Sequence, residues 1–130
     1  MSRPYAGSSS ISAGEQLEPD TLARNIVDAL SDRQAEDILL LDIRNVASFA
    51  DYFVIANGNV ARQLEAMIEA VEEAAPPEAA TFMGREGDPN SGWILMDYGN
   101  VIVHLFGPKE RGYYDLENLW HAAVQVVRIQ

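Results

Sequence analysis

A chain of 130 residues suits one domain, since compact domains commonly run about 100–150 residues, and 48% hydrophobic residues suffice for one packed core. The absence of cysteine excludes disulfide staples, thiolate metal sites and cysteine nucleophiles. Twenty acidic against nine basic side chains give a formal charge of -11, a field that repels phosphate backbones and anionic lipid and speaks against direct sequence-specific nucleic-acid binding.

The same field would steer the protein toward a basic partner, although acidic surfaces more often serve only solubility. A mean hydropathy of -0.11 and no long uncharged apolar run argue against a membrane span, and a soluble, cytoplasmic protein is expected. Residues 1–16 are rich in Ser, Gly and Ala, too poor in apolar surface to offset the entropy of ordering, and are read as a flexible tail before a domain over residues 17–130.

Leu22, Ile26, Ala29 and Leu30 recur at helical spacing, and Pro19 stands where a first turn tolerates it, which predicts a helix from about Glu18 to Ser31. The run Asp37-Ile-Leu-Leu-Leu-Asp42 is too short for a buried helix and predicts a strand covered on both faces; Tyr52-Phe-Val-Ile-Ala56 predicts a second. After the turn at Asn57-Gly58-Asn59, Val60, Leu64, Met67, Ile68 and Val71 trace the apolar stripe of a helix that Pro76-Pro77 ends. The other side of that helix carries Glu65, Glu69, Glu72 and Glu73, read as a solvated face.

Thr81-Phe-Met83 is expected as a short edge strand, and Gly84 to Gly92 as a surface loop. Trp93-Ile-Leu-Met96 and Val101-Ile-Val-His-Leu-Phe106 flank Asp97-Tyr98-Gly99-Asn100, whose Gly and Asn accept positive φ, so an antiparallel hairpin is predicted. Leu116, Leu119, Trp120, Ala123, Val124 and Val127 then predict a third helix running to the end, with Asp115 as its N-cap. The whole implies a single α/β domain, a mixed sheet of about five strands flanked by helices.

Catalysis finds little support. His104 and His121 lack metal-ligand spacing, and His121 is read as structural. Carboxylates at strand ends, Asp37, Asp42, Asp51 and Asp97, could hold Mg²⁺ for nucleotidyl transfer, but no phosphate loop and no Asp-x-Asp pair accompanies them, so no catalytic residue, metal or cofactor is assigned. The segment from Trp93 to Trp120 instead mixes large aromatics with charges, the composition of interface hot spots. Phe106 and Trp120 are read as core. Trp93, Asp97, Tyr98, Tyr114 and Glu117 are the expected partner-binding residues, on the hairpin and the start of the third helix, with the two acids reaching solvent to face basic groups.

At these residues the chain resembles the RsfS/Iojap family of ribosomal silencing factors. The likeness rests on Ala35-Glu-Asp-Ile-Leu-Leu-Leu-Asp42, Phe49-Ala-Asp-Tyr-Phe-Val-Ile-Ala56, Gly58 with Arg62-Gln63, Glu86-Gly87, and Trp93-Ile-Leu-Met-Asp97 with Gly99. It continues through Val101-Ile-Val-His104, Phe106, Arg111, Tyr114-Asp-Leu-Glu117 and Leu119-Trp120, in order, over about Glu18 to Val127. Asn100 and Val60-Ala61 depart from the family's usual Asp and Ser-Asp-like pair. The resemblance implies a nucleotidyltransferase-like core without the catalytic motif, and a homodimer in solution. It further implies docking on large-subunit ribosomal protein number fourteen, which would block small-subunit joining under starvation. A Mg-dependent nucleotidyltransferase and a ribosome assembly adaptor are the alternative readings.

Overall fold

The structure is a computed structural model that describes residues 16–130; the expected tail lies, but for Gln16, outside the described residues. Its elements are α1 (Pro19–Asp32), β1 (Glu36–Asp42), β2 (Tyr52–Asn57), α2 (Ala61–Ala74), β3 (Gly84–Glu86), β4 (Trp93–Asp97), β5 (Val101–Phe106), α3 (Pro108–Tyr114), α4 (Leu116–Leu119) and β6 (Val124–Ile129). They build one six-stranded mixed sheet in the order β3-β4-β5-β2-β1-β6. Among the described strands only β2 and β5 pair in parallel, and they need the crossover that α2 supplies.

Both long helices lie on one face of the sheet. Leu22, Ile26, Val27 and Leu30 of α1 and Leu64, Met67, Ile68 and Val71 of α2 are buried at the spacing read from the sequence, and they pack on Ile38, Leu40, Val54, Val103 and Leu105. Burying a Leu or Ile side chain stabilises by roughly 1.5–3 kcal/mol, so this layer carries most of the core. The opposite face holds a smaller cluster around Leu39, Leu41, Phe53, Ile55 and Phe106, covered mainly by Leu116 and the half-buried Trp120. This asymmetry positions the site.

Three expectations need correction. The strand after α2 is Gly84–Glu86 rather than Thr81–Met83, registering Gly84 with Asp97, so part of the expected loop is paired. The third helix does not run to the end of the chain, whose last residues instead add a sixth strand to the sheet of about five expected. Helical structure breaks at Asp115, which adopts the left-handed conformation at φ 48 and caps nothing with its side chain, and α4 makes a single turn. The remaining Val124-Gln-Val-Val-Arg-Ile129 pairs antiparallel with β1. Four β-branched residues in six lose side-chain freedom in a helix but suit a pleated strand, and pairing satisfies the backbone groups of what would otherwise be an open edge on β1.

Candidate functional site

Strand β4 alternates: Ile94 and Met96 are buried under the helices, while Trp93, Leu95 and Asp97 emerge half-buried on the other face. The antiparallel register sets Trp93 opposite Phe106, Leu95 opposite His104 and Asp97 opposite Ile102, and directly opposed residues share a face. The hairpin turn depends on Gly99, at φ 79, and on the Asp97 carboxylate, whose Oδ1 accepts the Gly99 N–H at 2.8 Å. Asp97 and Trp93 thus mark the two ends of one strip, roughly 13 Å apart at the usual strand rise.

At the Trp93 end the chain folds back through α3. The Tyr114 ring comes to 4.4 Å from the Trp93 ring, centroid to centroid, and Phe106 stacks beneath Trp93 at 5.2 Å. Gly92 is needed here. Its φ of 80 lies in the left-handed region that strains any other residue, whereas the nearest atoms a Cβ would meet belong to the movable Glu110 side chain. A second aromatic group, Phe53, Trp120 and Phe49, lies on the same side of the sheet, with Trp120 set edge-on to both phenylalanines at 5.3 and 5.9 Å. Phe49 is 58% exposed, Tyr114 44% and Leu119 70%. Large apolar side chains exposed around a sheet face that only short helical segments cover make this face the candidate interaction surface.

His104 sits at the centre of this face, 5% exposed, with its ring 4.8 Å from that of Phe53. The Trp93 indole N–H donates to His104 Nδ1 at 3.3 Å, which places the proton of the neutral ring on Nε2. Burial pushes the imidazole pKa down to about 4. Between pH 6.5 and about 4 an unfolded chain therefore binds a proton that the folded chain refuses, and stability is present above that window and lost as pH falls through it. We expect a loss on the order of 3 kcal/mol, checked by urea titrations at pH 7.5 and pH 4, and largely absent in His104→Phe.

Beneath Tyr114, Arg111 ties the short helices to the sheet. Its guanidinium, 8% exposed, donates from Nε to Glu117 Oε2 at 3.0 Å, and from Nη1 to the Asp37 carbonyl at 2.9 Å and Asn57 Oδ1 at 3.0 Å. Asp37 stands at the register shift between Glu36 and Leu39, with φ 48, and its carboxylate also pairs with Arg128 at 2.9 Å. Glu117 is thus turned inward as the counter-charge of Arg111, not outward to solvent as its place at a helix start suggested.

The expected binding residues are therefore only partly gathered. Trp93 and Tyr114 touch, Asp97 shares their face, and Glu117 supports them from below; Tyr98, one residue out of phase with Asp97, is 7% exposed on the helix-covered face. Phe49, packed on Phe53 and Trp120 yet exposed, was not singled out from the sequence, and Leu119, expected in the apolar stripe of the third helix, is exposed. His121, expected on a long helix, is exposed in the turn after α4 with Nδ1 2.9 Å from the Asn118 carbonyl oxygen. Among the strand-end acids, Asp42 is engaged by Arg44 through two guanidinium hydrogen bonds and one from its backbone N–H, which hold its carboxyl below the usual carboxylate range. No three His, Cys, Asp or Glu side chains among the described residues are grouped to hold a metal ion.

Comparison with known proteins matches residues 16–130 to the family described as "Ribosomal silencing factor during starvation". The chain is 40% identical over 92 residues to the ribosomal silencing factor RsfS of Bacillus subtilis, covering 71% of this chain and 78% of that protein. It is 30% identical over 98 residues to the mouse "Mitochondrial assembly of ribosomal large subunit protein 1", covering 73% of this chain and 43% of that protein. The crystal structure of a protein from Chromobacterium violaceum superposes with a TM-score of 0.76 at 31% identity, covering 81% of this chain and 88% of that one. With a family match across every described residue and relatives that share both sequence and sheet, this chain belongs to the RsfS family of ribosomal silencing factors.

Proposed function

We propose that the half-covered sheet face docks on the large ribosomal subunit, on ribosomal protein number fourteen, and thereby keeps the small subunit from joining. The observation that carries this reading is the pairing of Trp93 with the 44% exposed Tyr114 on a face that also presents Phe49, Leu95, Ile102 and Asp97. Aromatic anchors in partly desolvated settings carry most of the energy of protein interfaces. The formal charge of -11 steers such a surface toward basic protein. Occlusion needs no turnover, only a contact of standard size, about 800 Å² per partner. No described helix is long and apolar enough to cross a membrane, and a cytoplasmic role at the ribosome fits that.

Co-sedimentation with isolated large subunits tests the surface. Asp97→Lys sets like charge against a basic partner and should weaken binding roughly thirtyfold, about 2 kcal/mol; wild-type affinity in a folded Asp97→Lys protein would rule this face out. A role in assembly of the large subunit is the second reading, favoured by the name of the mouse relative. It predicts binding to immature particles without any effect on the joining of mature subunits. The exposed apolar side chains also suit self-association, and light scattering at micromolar concentration should report about twice 14.3 kDa. A 14.3 kDa species at all concentrations would refute the homodimer.

A further inference from the structure

On the helix-covered side, away from the docking face, lies a hollow of about 530 Å³ between the end of α2 and the β4–β5 turn, lined by Glu72, Ala75, Pro77, Ala80, Phe82 and Tyr98. Its size is that of a ligand site. Two aromatic rings form one side: Phe82, 53% exposed, and the buried Tyr98, with centroids 5.5 Å apart and planes inclined at 56°. The rim is fixed by the backbone N–H of Leu17, which donates to the Ala79 carbonyl at 2.9 Å, and by Gln16 Nε2, which donates to Thr81 Oγ1 at 2.6 Å.

The charge in the hollow comes from one group. Glu69 and Glu73 of α2 share Arg33 as counter-ion, whereas Glu72 is in no ion pair among the described residues. Burial and the neighbouring Glu72 push the Tyr98 phenol up to about 12, so that ring stays neutral. An anion would meet the Glu72 carboxylate, and an uncharged apolar ligand would cover that carboxylate without balancing it. A cation satisfies both features, because the faces of aromatic rings and a carboxylate attract the same sign of charge.

We propose that this hollow receives the basic side chain, lysine or arginine, of a protein partner, with the charged end between Glu72 and the two rings and the apolar stem against Pro77 and Ala80. A single lining carboxylate suits one charge at the end of a side chain rather than a free polyamine with several. The site is a second contact, independent of the docking face on the other side of the sheet.

The test is an NMR titration of the full chain with Nα-acetyl methylamides of lysine, arginine and norleucine, and with spermidine. A basic compound should shift the amides of residues 75–82 and 98 and bind about five- to tenfold more tightly than norleucine, which has the stem without the charge. Glu72→Gln should remove that preference while leaving the remaining spectrum in place, and Phe82→Ala, at an exposed ring, should weaken binding without unfolding the chain. Tyr114→Ala, altered on the other face, should bind all four compounds as wild type does, which separates this site from the ribosome-docking proposal. Equal binding of norleucine, shifts elsewhere or none, or spermidine binding more than tenfold tighter than the lysine compound would overturn it.

Discussion

Arg111→Ala should be among the most destabilising single changes in the protein, lowering unfolding free energy by about 3–5 kcal/mol in urea titrations. Its side chain is 8% exposed and is held by groups from three separate parts of the chain: Asp37 on β1, Asn57 at the end of β2 and Glu117 on α4. Removing one partner of a buried ion pair leaves the other charged and poorly hydrated, and that residual charge accounts for most of the expected cost. Arg111→Lys should recover little, because a single ammonium cannot replace a planar fork that binds in three directions. Since Arg111 joins α3 and α4 to the ends of β1 and β2, the variant should also lose amide protection over residues 108–120. A loss below about 1 kcal/mol would show that the network is incidental.

Trp93→Ala should cost both stability and ribosome binding. The indole stacks on Phe106, meets the tilted Tyr114 ring and donates to His104, so truncation opens a gap in the aromatic cluster and removes the hydrogen bond at His104 Nδ1. Truncating a well-buried Trp costs about 3–5 kcal/mol, and for this half-buried one we expect about 3. Binding to large subunits should fall by roughly 2 kcal/mol as well, the usual magnitude for an aromatic anchor. Two companions separate the effects. Trp93→Phe keeps a ring in the stack and loses only the donor, so it should retain most of both quantities. Tyr114→Ala removes a half-exposed ring and should reduce binding with a smaller stability loss than Trp93→Ala. Unchanged binding in both alanine variants would remove the aromatic pair from the interface.

Much of the fold was legible because burial follows period. The stripes of α1 and α2 and the apolar runs of β1, β2, β4 and β5 each bury one consistent set of residues, and those elements fall where spacing put them. The C-terminal segment was misread because Leu116, Leu119, Trp120, Ala123 and Val127 fit a helical stripe by spacing alone. What decides it is non-local: β1 has a free edge some eighty residues earlier in the chain, and Val124–Ile129 fills it. The edge strand was displaced by three residues for a similar reason, since its register is set by Asp97 on the partner strand and not by the apolar Phe82-Met83 pair.

The candidate site was legible by composition but not by face. Aromatic and acidic residues did concentrate between Trp93 and Glu117, and alternation along β4 already puts Asp97 with Trp93 and sends Tyr98 to the other side. The inward turn of Glu117 could not be read locally. Its partner Arg111 lies six residues away, yet their pairing is fixed by Asp37, 74 residues from Arg111.

On the proposed function, this face, seated on the large subunit, stands in the way of the small one. Light scattering of purified subunits mixed at a magnesium concentration that favours joining measures this directly, with the protein added to the large subunits first. Stoichiometric wild-type protein should suppress the rise in scattering, and folded Asp97→Lys should require roughly thirtyfold more to do so. A normal rise with wild-type protein bound, or full suppression by Asp97→Lys at the wild-type concentration, would contradict the account.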